Sequence, residues 1–306
     1  SDMEIMWKLI EVSKRYHLGK GRDVLALDRI DMKIYRGETF GVIGESGSGK
    51  TTLGKVMMGL IEPTEGKIYF RDKCLTDLKG SELLNLRKEF QIIFQDPYRS
   101  LNPRMRVADT VMEGIREGID RAEKKERVKE LLQMTGIEPE RMYNYPHQFS
   151  GGERQRISIA RALSTTPSFI VCDEPTSNLD LSVQAKILNL FMELKERFHL
   201  TYMFISHNIK VVNFIADRVA VMYKGRIVEY GRKEDVMKNP VHPYTDILIS
   251  SSFFKKADVS EIERLQGRQG CLFFPLCPCA KDRCYTEIPE LEEVGKGHFA
   301  ACFKAE

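Results

Sequence analysis

The stretch Gly44-Glu45-Ser46-Gly47-Ser48-Gly49-Lys50-Thr51 limits what this chain can become more than any other feature of its 306 residues. It fits the spacing G-x-x-x-x-G-K-S/T, and its surroundings suit that spacing. An apolar run, Thr39-Phe40-Gly41-Val42-Ile43, leads in, and a helix-compatible run from Thr52 to Leu60 leads out. A glycine-rich turn between strand and helix lets backbone N–H groups converge on phosphate oxygens, with the positive end of the helix behind them. Lys50 can then reach the β- and γ-phosphates of a nucleotide, and Thr51 can ligate Mg2+. A glycine turn that binds nothing is the bland alternative, and the strand–loop–helix context weighs against it.

Two later stretches, Phe169-Ile170-Val171-Cys172 and Tyr202-Met203-Phe204-Ile205, are near-continuous apolar runs. Such runs suit central strands of a parallel sheet, buried on both faces. The first ends in Asp173-Glu174 and the second in Ser206-His207. Open α/β sheets bind ligands at the carboxyl ends of their strands. Asp173 is therefore a candidate Mg2+ partner, and Glu174, one step further, can face the γ-phosphate and polarise a water. Gln95, after Gln91-Ile92-Ile93-Phe94, can ligate Mg2+ or hold that water through its carbonyl. Taken singly, these are two exposed acids before Pro175, a structural histidine and a surface glutamine. Beside a phosphate loop they read as one edge carrying chemistry.

The remaining pattern predicts an α/β chain with a helical insertion. Ile30, Met32 and Ile34 alternate with polar residues, the period of a half-buried strand. Lys67 to Phe70 reads as another strand. From about 80 to 165 the sequence turns helical and charged, with Val128, Leu131 and Leu132 on one face. Val183, Ile187, Leu190, Phe191 and Leu194 mark a helix between the two apolar strands. With 47 basic against 44 acidic residues, net +3, the charge is too balanced to indicate a nucleic-acid binder. No stretch approaches the ~20 apolar residues that span a bilayer, and the start SDMEIMWKLIEV lacks the apolar core of a signal peptide. A cytosolic chain is expected, with any membrane role exercised through a partner.

Five of the seven cysteines, Cys271, Cys277, Cys279, Cys284 and Cys302, crowd the last 36 residues, so a boundary is placed near residue 255. In a reducing compartment such a cluster favours metal binding over disulfides. The spacing Cys271-x5-Cys277-x6-Cys284-x17-Cys302 lacks the C-x2-C pairs usual at zinc sites. It is compatible with an iron–sulfur cluster, and zinc or unmetallated thiols stay open at this point.

Phe149-Ser150-Gly151-Gly152-Glu153 resembles the signature of ATP-binding cassette ATPases, usually written LSGGQ. Over about residues 5 to 250 the other elements fall in that family's order. The resemblance implies an α/β P-loop NTPase fold of the ABC ATPase type, with a mixed sheet core, a helical subdomain (about 80–165) and a small Cys-rich C-terminal segment. The division is then a nucleotide-binding domain over 1–255 and a metal-binding segment over 256–306. Tyr16 corresponds to the aromatic that stacks on adenine. Gly44, Ser46, Gly47, Ser48, Gly49, Lys50, Thr51 and Thr52 belong to the Walker A loop. Thr51, Gln95 and Asp173 would hold Mg2+; Glu174, His207 and Lys50 would be catalytic. Ser150, Gly151, Gly152, Glu153 and the D-loop Asp180 would close over ATP bound to a second ATPase subunit, in a homo- or heterodimer.

The match narrows through Gln95–Met105, Leu181-Ser182-Val183-Gln184-Ala185 and His242-Pro243-Tyr244-Thr245, which resemble the oligopeptide/dipeptide-importer ATPases. In that subfamily Cys271, Cys277, Cys284 and Cys302 correspond to ligands of a 4Fe–4S cluster. Glu153 departs from the usual Gln, Asn178 from Ala and Asn208 from Asp, and none of these removes a catalytic group. The implied function is ATP hydrolysis that powers peptide import. The implied partners are integral-membrane permease subunits and, indirectly, an extracytoplasmic substrate-binding protein, with the chain peripheral on the cytoplasmic side. A related sugar importer, a soluble cassette ATPase acting on DNA or ribosomes, and a metal-binding interaction protein are the alternatives. Only about a hundred residues, without heptads, separate Walker A from the signature, which argues against the second. Glu174 and His207 argue against the third. Replacing the cysteines is expected to spare ATP binding, because the phosphate loop lies in another part of the chain.

Overall fold

The computed structural model describes residues 4–19, 23–96, 100–250 and 270–305. The expected boundary near 255 lies outside them. The described strands are β1 (Ile5–His17), β2 (Asp23–Tyr35), β3 (Thr39–Ile43), β4 (Glu65–Phe70), β5 (Lys73–Cys74), β6 (Phe90–Ile93), β7 (Phe169–Asp173), β8 (Thr201–Ser206), β9 (Arg218–Tyr223), β10 (Arg226–Arg232), β11 (Glu292–Gly295) and β12 (His298–Ala300).

The apolar runs become neighbours in one mixed sheet of order β11-β12-β10-β9-β3-β8-β7-β6. From β9 to β6 the pairs are parallel, and every residue of β3, β7 and β8 is buried. These strands read as continuous apolar runs because helices cover both faces. On one side lie Lys50–Met57 and the second sheet, antiparallel, of order β2-β1-β4-β5. Ile30, Met32 and Ile34 of β2 point into the core between the sheets, as their alternation predicts. Trp7 of β1 closes that core, its ring 4.9, 4.9 and 5.0 Å from those of Phe70, Phe90 and Phe169.

The other face carries Leu181–Phe198 and the helices Val107–Met112, Arg121–Met134 and Gly151–Ser164. Val128, Leu131 and Leu132 are buried there, the face their spacing predicts. The stretch read as helical also holds β6, whose Phe90 and Ile93 are buried in the main sheet. Among the described residues no helix is long and apolar enough to cross a membrane.

The tail joins the same sheet. Antiparallel β12 pairs with β10, Glu229 opposite Ala300 and Tyr230 opposite Phe299, and β11 pairs with β12. Glu229 is wholly buried. It accepts the N–H of Val241 at 2.8 Å and of His242 at 2.9 Å, and His298 Nε2 lies 2.7 Å from it. One carboxylate therefore ties β10, the turn before Pro243 and the tail together. Three partners offset the desolvation of a buried acid.

Candidate active site

Register brings the strand ends level. Ile43 lies opposite Ser206, Ile205 opposite Asp173, and Cys172 opposite Ile93. The residues that follow these ends line one cavity of about 820 Å³: Gly44 to Gly47, Gly49 to Thr52, Gln95, Asp173, Glu174 and His207. A volume of that size suits a small organic ligand. Its far wall comes from Val24, Leu25 and Ala26 of β2, from Lys224 and Gly225 in the β9–β10 turn, and from Leu248.

The loop between β3 and the helix Lys50–Met57 has little steric freedom. A side chain at Gly44 would meet the Met222 carbonyl at 2.3 Å, and Gly49, at φ +102°, would meet that of Ala26 at 2.5 Å. Glycine is required at both. Ser48 accepts the Gly225 N–H through its carbonyl at 2.9 Å, which ties the loop to the β9–β10 turn. The Lys50 ammonium folds back onto the loop, donating to the Gly44 carbonyl at 2.7 Å and the Glu45 carbonyl at 2.8 Å. Burial pushes it down from the ordinary lysine value, against the pull of Glu174, Asp173 and Glu45.

Thr51 donates its hydroxyl to Asp173 Oδ2 at 2.9 Å. Asp173 Oδ1 is buried and has no hydrogen-bond partner. Burial pushes this carboxyl up, against the Thr51 bond. An unpartnered buried carboxylate oxygen beside a hydroxyl is the arrangement a hard divalent cation satisfies, and Gln95 opens onto the same space. Mg2+ therefore fits these residues.

Glu174 sits at φ +51°, unusual for a residue with a side chain. Its N–H donates to the Ile205 carbonyl at 3.0 Å. Its carboxylate accepts the His207 N–H at 2.9 Å, and both its oxygens lie 2.9 Å from His207 Nδ1. The pair thus faces the cavity as one unit, just beyond the Asp173–Thr51 contact.

Not every expected site residue reaches this cavity. Tyr16 lies one residue before the end of β1, opposite Val24, with Lys14 Nζ 5.2 Å from its ring centre, and does not line the wall that Val24 to Ala26 provide. Ser48 is buried beneath the loop. Ser150 caps the helix Gly151–Ser164: its hydroxyl accepts the Glu153 N–H at 3.2 Å, and Glu153 accepts the Ser150 N–H at 2.8 Å. Burial works upward on Glu153, but that N–H and Arg141, 2.6 Å away, hold it below the usual carboxylate range. A side chain at Gly152 would come within 2.5 Å of Val183. Asp180 caps Leu181–Phe198 by accepting the N–H groups of Val183 and Ser182, each at 3.0 Å. The signature and the helix that Asp180 caps so lie against each other, and none of these residues lines the cavity that holds Lys50. Reasoning from sequence overlooked Val24, Leu25, Ala26 and the Lys224-Gly225 turn. The turn had a signal, a Lys-Gly pair between two apolar runs; the β2 residues had none.

The cysteines form a second locality. Cys271, Cys277, Cys279, Cys284 and Cys302 line one small pocket under Phe303. Backbone N–H groups donate to sulfur, Lys281 to Cys284 at 3.5 Å and Lys304 to Cys302 at 3.4 Å. Burial pushes the thiols of Cys271 and Cys302 up, and that of Cys277 to about 11. Among the described residues no group of three or more His, Cys, Asp or Glu is placed to hold a metal ion. The side-chain positions therefore do not form the expected metal-binding constellation among the described residues.

Comparison with known proteins adds to this geometry. Residues 27–177 match the ABC transporter family, and residues 228–284 match the oligopeptide/dipeptide transporter C-terminal region. The oligopeptide transport ATP-binding protein AppF of Bacillus subtilis is 42% identical, over 99% of this chain and 98% of its own. The di/tripeptide transport ATP-binding protein DppF of Pseudomonas aeruginosa is 38% identical, over 99% of each. Among solved structures, a dimeric ATP-binding cassette in a post-hydrolysis state with ADP and Pi is 31% identical. It aligns with a TM-score of 0.67 over 74% of this chain and 99% of its own. The cbiO1 subunit of a Clostridium perfringens ABC transporter is 30% identical, TM-score 0.69, over 77% and 92%.

Proposed function

The chain belongs to the ATP-binding cassette ATPases of the oligopeptide/dipeptide transporters, and on that premise we propose that it hydrolyses ATP to power import of oligopeptides or dipeptides through a membrane permease. The observation that carries this reading is the strand-end cluster: the Asp173–Thr51 contact with its unpartnered oxygen, and the Glu174–His207 pair facing the same cavity. Relatives over nearly the whole chain carry peptide-transport names, which favours peptides over sugars and over a soluble, non-transport ATPase.

Thr51, Gln95 and Asp173 would hold Mg2+, which would supply charge neutralisation on the phosphates. The loop amides and Lys50 bind the phosphates, with Lys50 leaving the Gly44 and Glu45 carbonyls to do so. Glu174 orients the attacking water and takes its proton. His207 holds the Glu174 carboxylate through its backbone N–H and stands beside the γ-phosphate position. Val24, Leu25 and Ala26 form the apolar wall on the base side, with Tyr16 at its rim.

Ser150, Gly151, Gly152, Glu153 and Asp180 serve the site of a second ATPase subunit, because they do not line the cavity that holds Lys50 of their own chain. ATP then holds two chains together, and loss of the γ-phosphate releases them. The partners are permease subunits at the cytoplasmic side of the cell membrane and, through them, an extracytoplasmic binding protein. A 4Fe–4S cluster on Cys271, Cys277, Cys284 and Cys302 would staple the cysteine-rich tail. What supports this is five thiols on one pocket with N–H groups aimed at sulfur, a donor set suited to a cluster that spreads its ligands rather than to a single ion. The test is phosphate release by the purified chain with Lys50→Ala as control, together with recovery of permease subunits from membranes. Equal release from both proteins would remove the ATPase reading.

A further inference from the structure

The phosphate loop is held from two sides. The Glu45 N–H donates to the Tyr244 hydroxyl at 2.9 Å, while Lys50 Nζ takes the carbonyls of Gly44 and Glu45. Tyr244, on the helix Pro243–Ser250, is 1% exposed, and its ring packs 4.7 Å from that of Tyr223. Phe273 closes the other side, 5.6 Å from Tyr244 and edge-on to Tyr223 at 5.3 Å. Cys271 and Cys277 flank Phe273 and pack against the same core group, which also contains Ile43 at the entry to the loop. His242 Nδ1 accepts the Tyr244 N–H at 3.1 Å, and His242 is itself held by Glu229. A continuous packed path therefore runs from the cysteine pocket to one amide of the phosphate loop.

We propose that Tyr244 is a positioning residue for the phosphate loop, and that Phe273 couples the cysteine segment to it, so that the order of this segment sets ATP affinity. The proposal rests on the ATP reading above. Nucleotide binding draws Lys50 off the two carbonyls, which removes one side of the clamp. The Tyr244 hydroxyl then remains as the fixed acceptor that holds residue 45 in place. A loop ordered beforehand binds its phosphates without the cost of ordering itself. Phe273 fills the space behind the Tyr244 ring; a smaller residue there lets the ring retreat from Glu45. Such coupling runs against the expectation that the cysteine segment is independent of the phosphate loop, because Phe273 packs on Tyr244 and Tyr244 holds Glu45.

The test uses the full chain, titrated with ATP and Mg2+, with hydrogen exchange followed over residues 44–50 and 270–277. Tyr244→Phe keeps the ring and deletes only the acceptor. It should weaken ATP binding by about three- to tenfold, the worth of one partly buried hydrogen bond. KM should rise with kcat nearly unchanged, and exchange should speed up over 44–50 but not over 270–277. Phe273→Leu should weaken ATP to a similar degree with the hydroxyl present, and Cys271→Ser should move in the same direction. Unchanged affinity and unchanged exchange in Tyr244→Phe would overturn the positioning role. A weakened Tyr244→Phe beside an unaltered Phe273→Leu would overturn the coupling. Lys50→Ala separates the two layers. If it binds ATP normally, the ATP reading fails, and the exchange over 44–50 still decides the role of Tyr244. If it loses ATP while Tyr244→Phe does not, the positioning role fails alone.

Discussion

His242 makes the stability of this chain depend on pH in a way the structure specifies. The ring is 2% exposed and packs 5.6 Å from Phe273, while its Nδ1 accepts the Tyr244 N–H. Only a neutral imidazole can accept there. Burial pushes its pKa from the ordinary 6.5 down to about 4. Between those values the unfolded chain binds the proton and the folded chain does not, so stability rises with pH across that window. The contribution is fully present above about 6.5, falls as the pH drops, and is gone below about 4. At about 1.4 kcal/mol per pH unit it amounts to roughly 3 kcal/mol. The comparison is with His242→Asn, which keeps an oxygen acceptor for the Tyr244 N–H and cannot titrate. Urea unfolding of both proteins at pH 7.5, 6.0, 5.0 and 4.5 isolates this one residue from the carboxylates that also titrate. The wild-type curve should fall towards that of the variant by about 2–3 kcal/mol over the range. Two parallel curves would refute a buried neutral histidine at this position.

Other outcomes follow from the site itself. Glu174→Gln keeps an acceptor for the His207 N–H but no base, so ATP should still bind while phosphate release falls by about 10²–10⁴; release within threefold of wild type would exclude Glu174 as the base. Ser150→Arg should leave ATP binding by the single chain intact, since Ser150 lies outside the cavity, and should abolish turnover; undiminished turnover at saturating ATP would argue against a shared site. Protein purified without oxygen should carry iron and sulfide in near-equal amounts and lose both on Cys284→Ser but not on Cys279→Ser. Stoichiometric zinc instead of iron would refute the cluster.

The parts legible in sequence are those whose physics is local. The phosphate loop needs glycine at 44 and 49 because carbonyls of Met222 and Ala26 leave no room for a side chain. The three central strands show as apolar runs because both their faces are covered. Asp173, Glu174 and His207 follow such runs directly, so their meeting at one edge is a consequence of parallel register. The illegible parts depend on distant partners. β12 is three residues long, too short for any periodicity, and its place is set by β10 and by His298 against Glu229. Glu229 itself reads as one polar residue in a strand, and only the fold shows it buried under three donors. The contact of Tyr244 with Glu45 spans 199 residues, and no local pattern encodes it. Tyr16 is a different case. Its assignment came from resemblance, and in the fold it pairs with Val24, a residue of the cavity wall that no local pattern marked.

The central claim is that ATP is bound between the phosphate loop of one chain and the signature of another. Sedimentation of Glu174→Gln tests it most directly, because that chain should bind ATP without consuming it. With Mg2+ and ATP it should sediment as a dimer, with ADP or no nucleotide as a monomer, and addition of Ser150→Arg to the same chain should keep it monomeric in ATP. A monomer under all conditions, or a dimer that ignores both nucleotide and Ser150, would contradict the account.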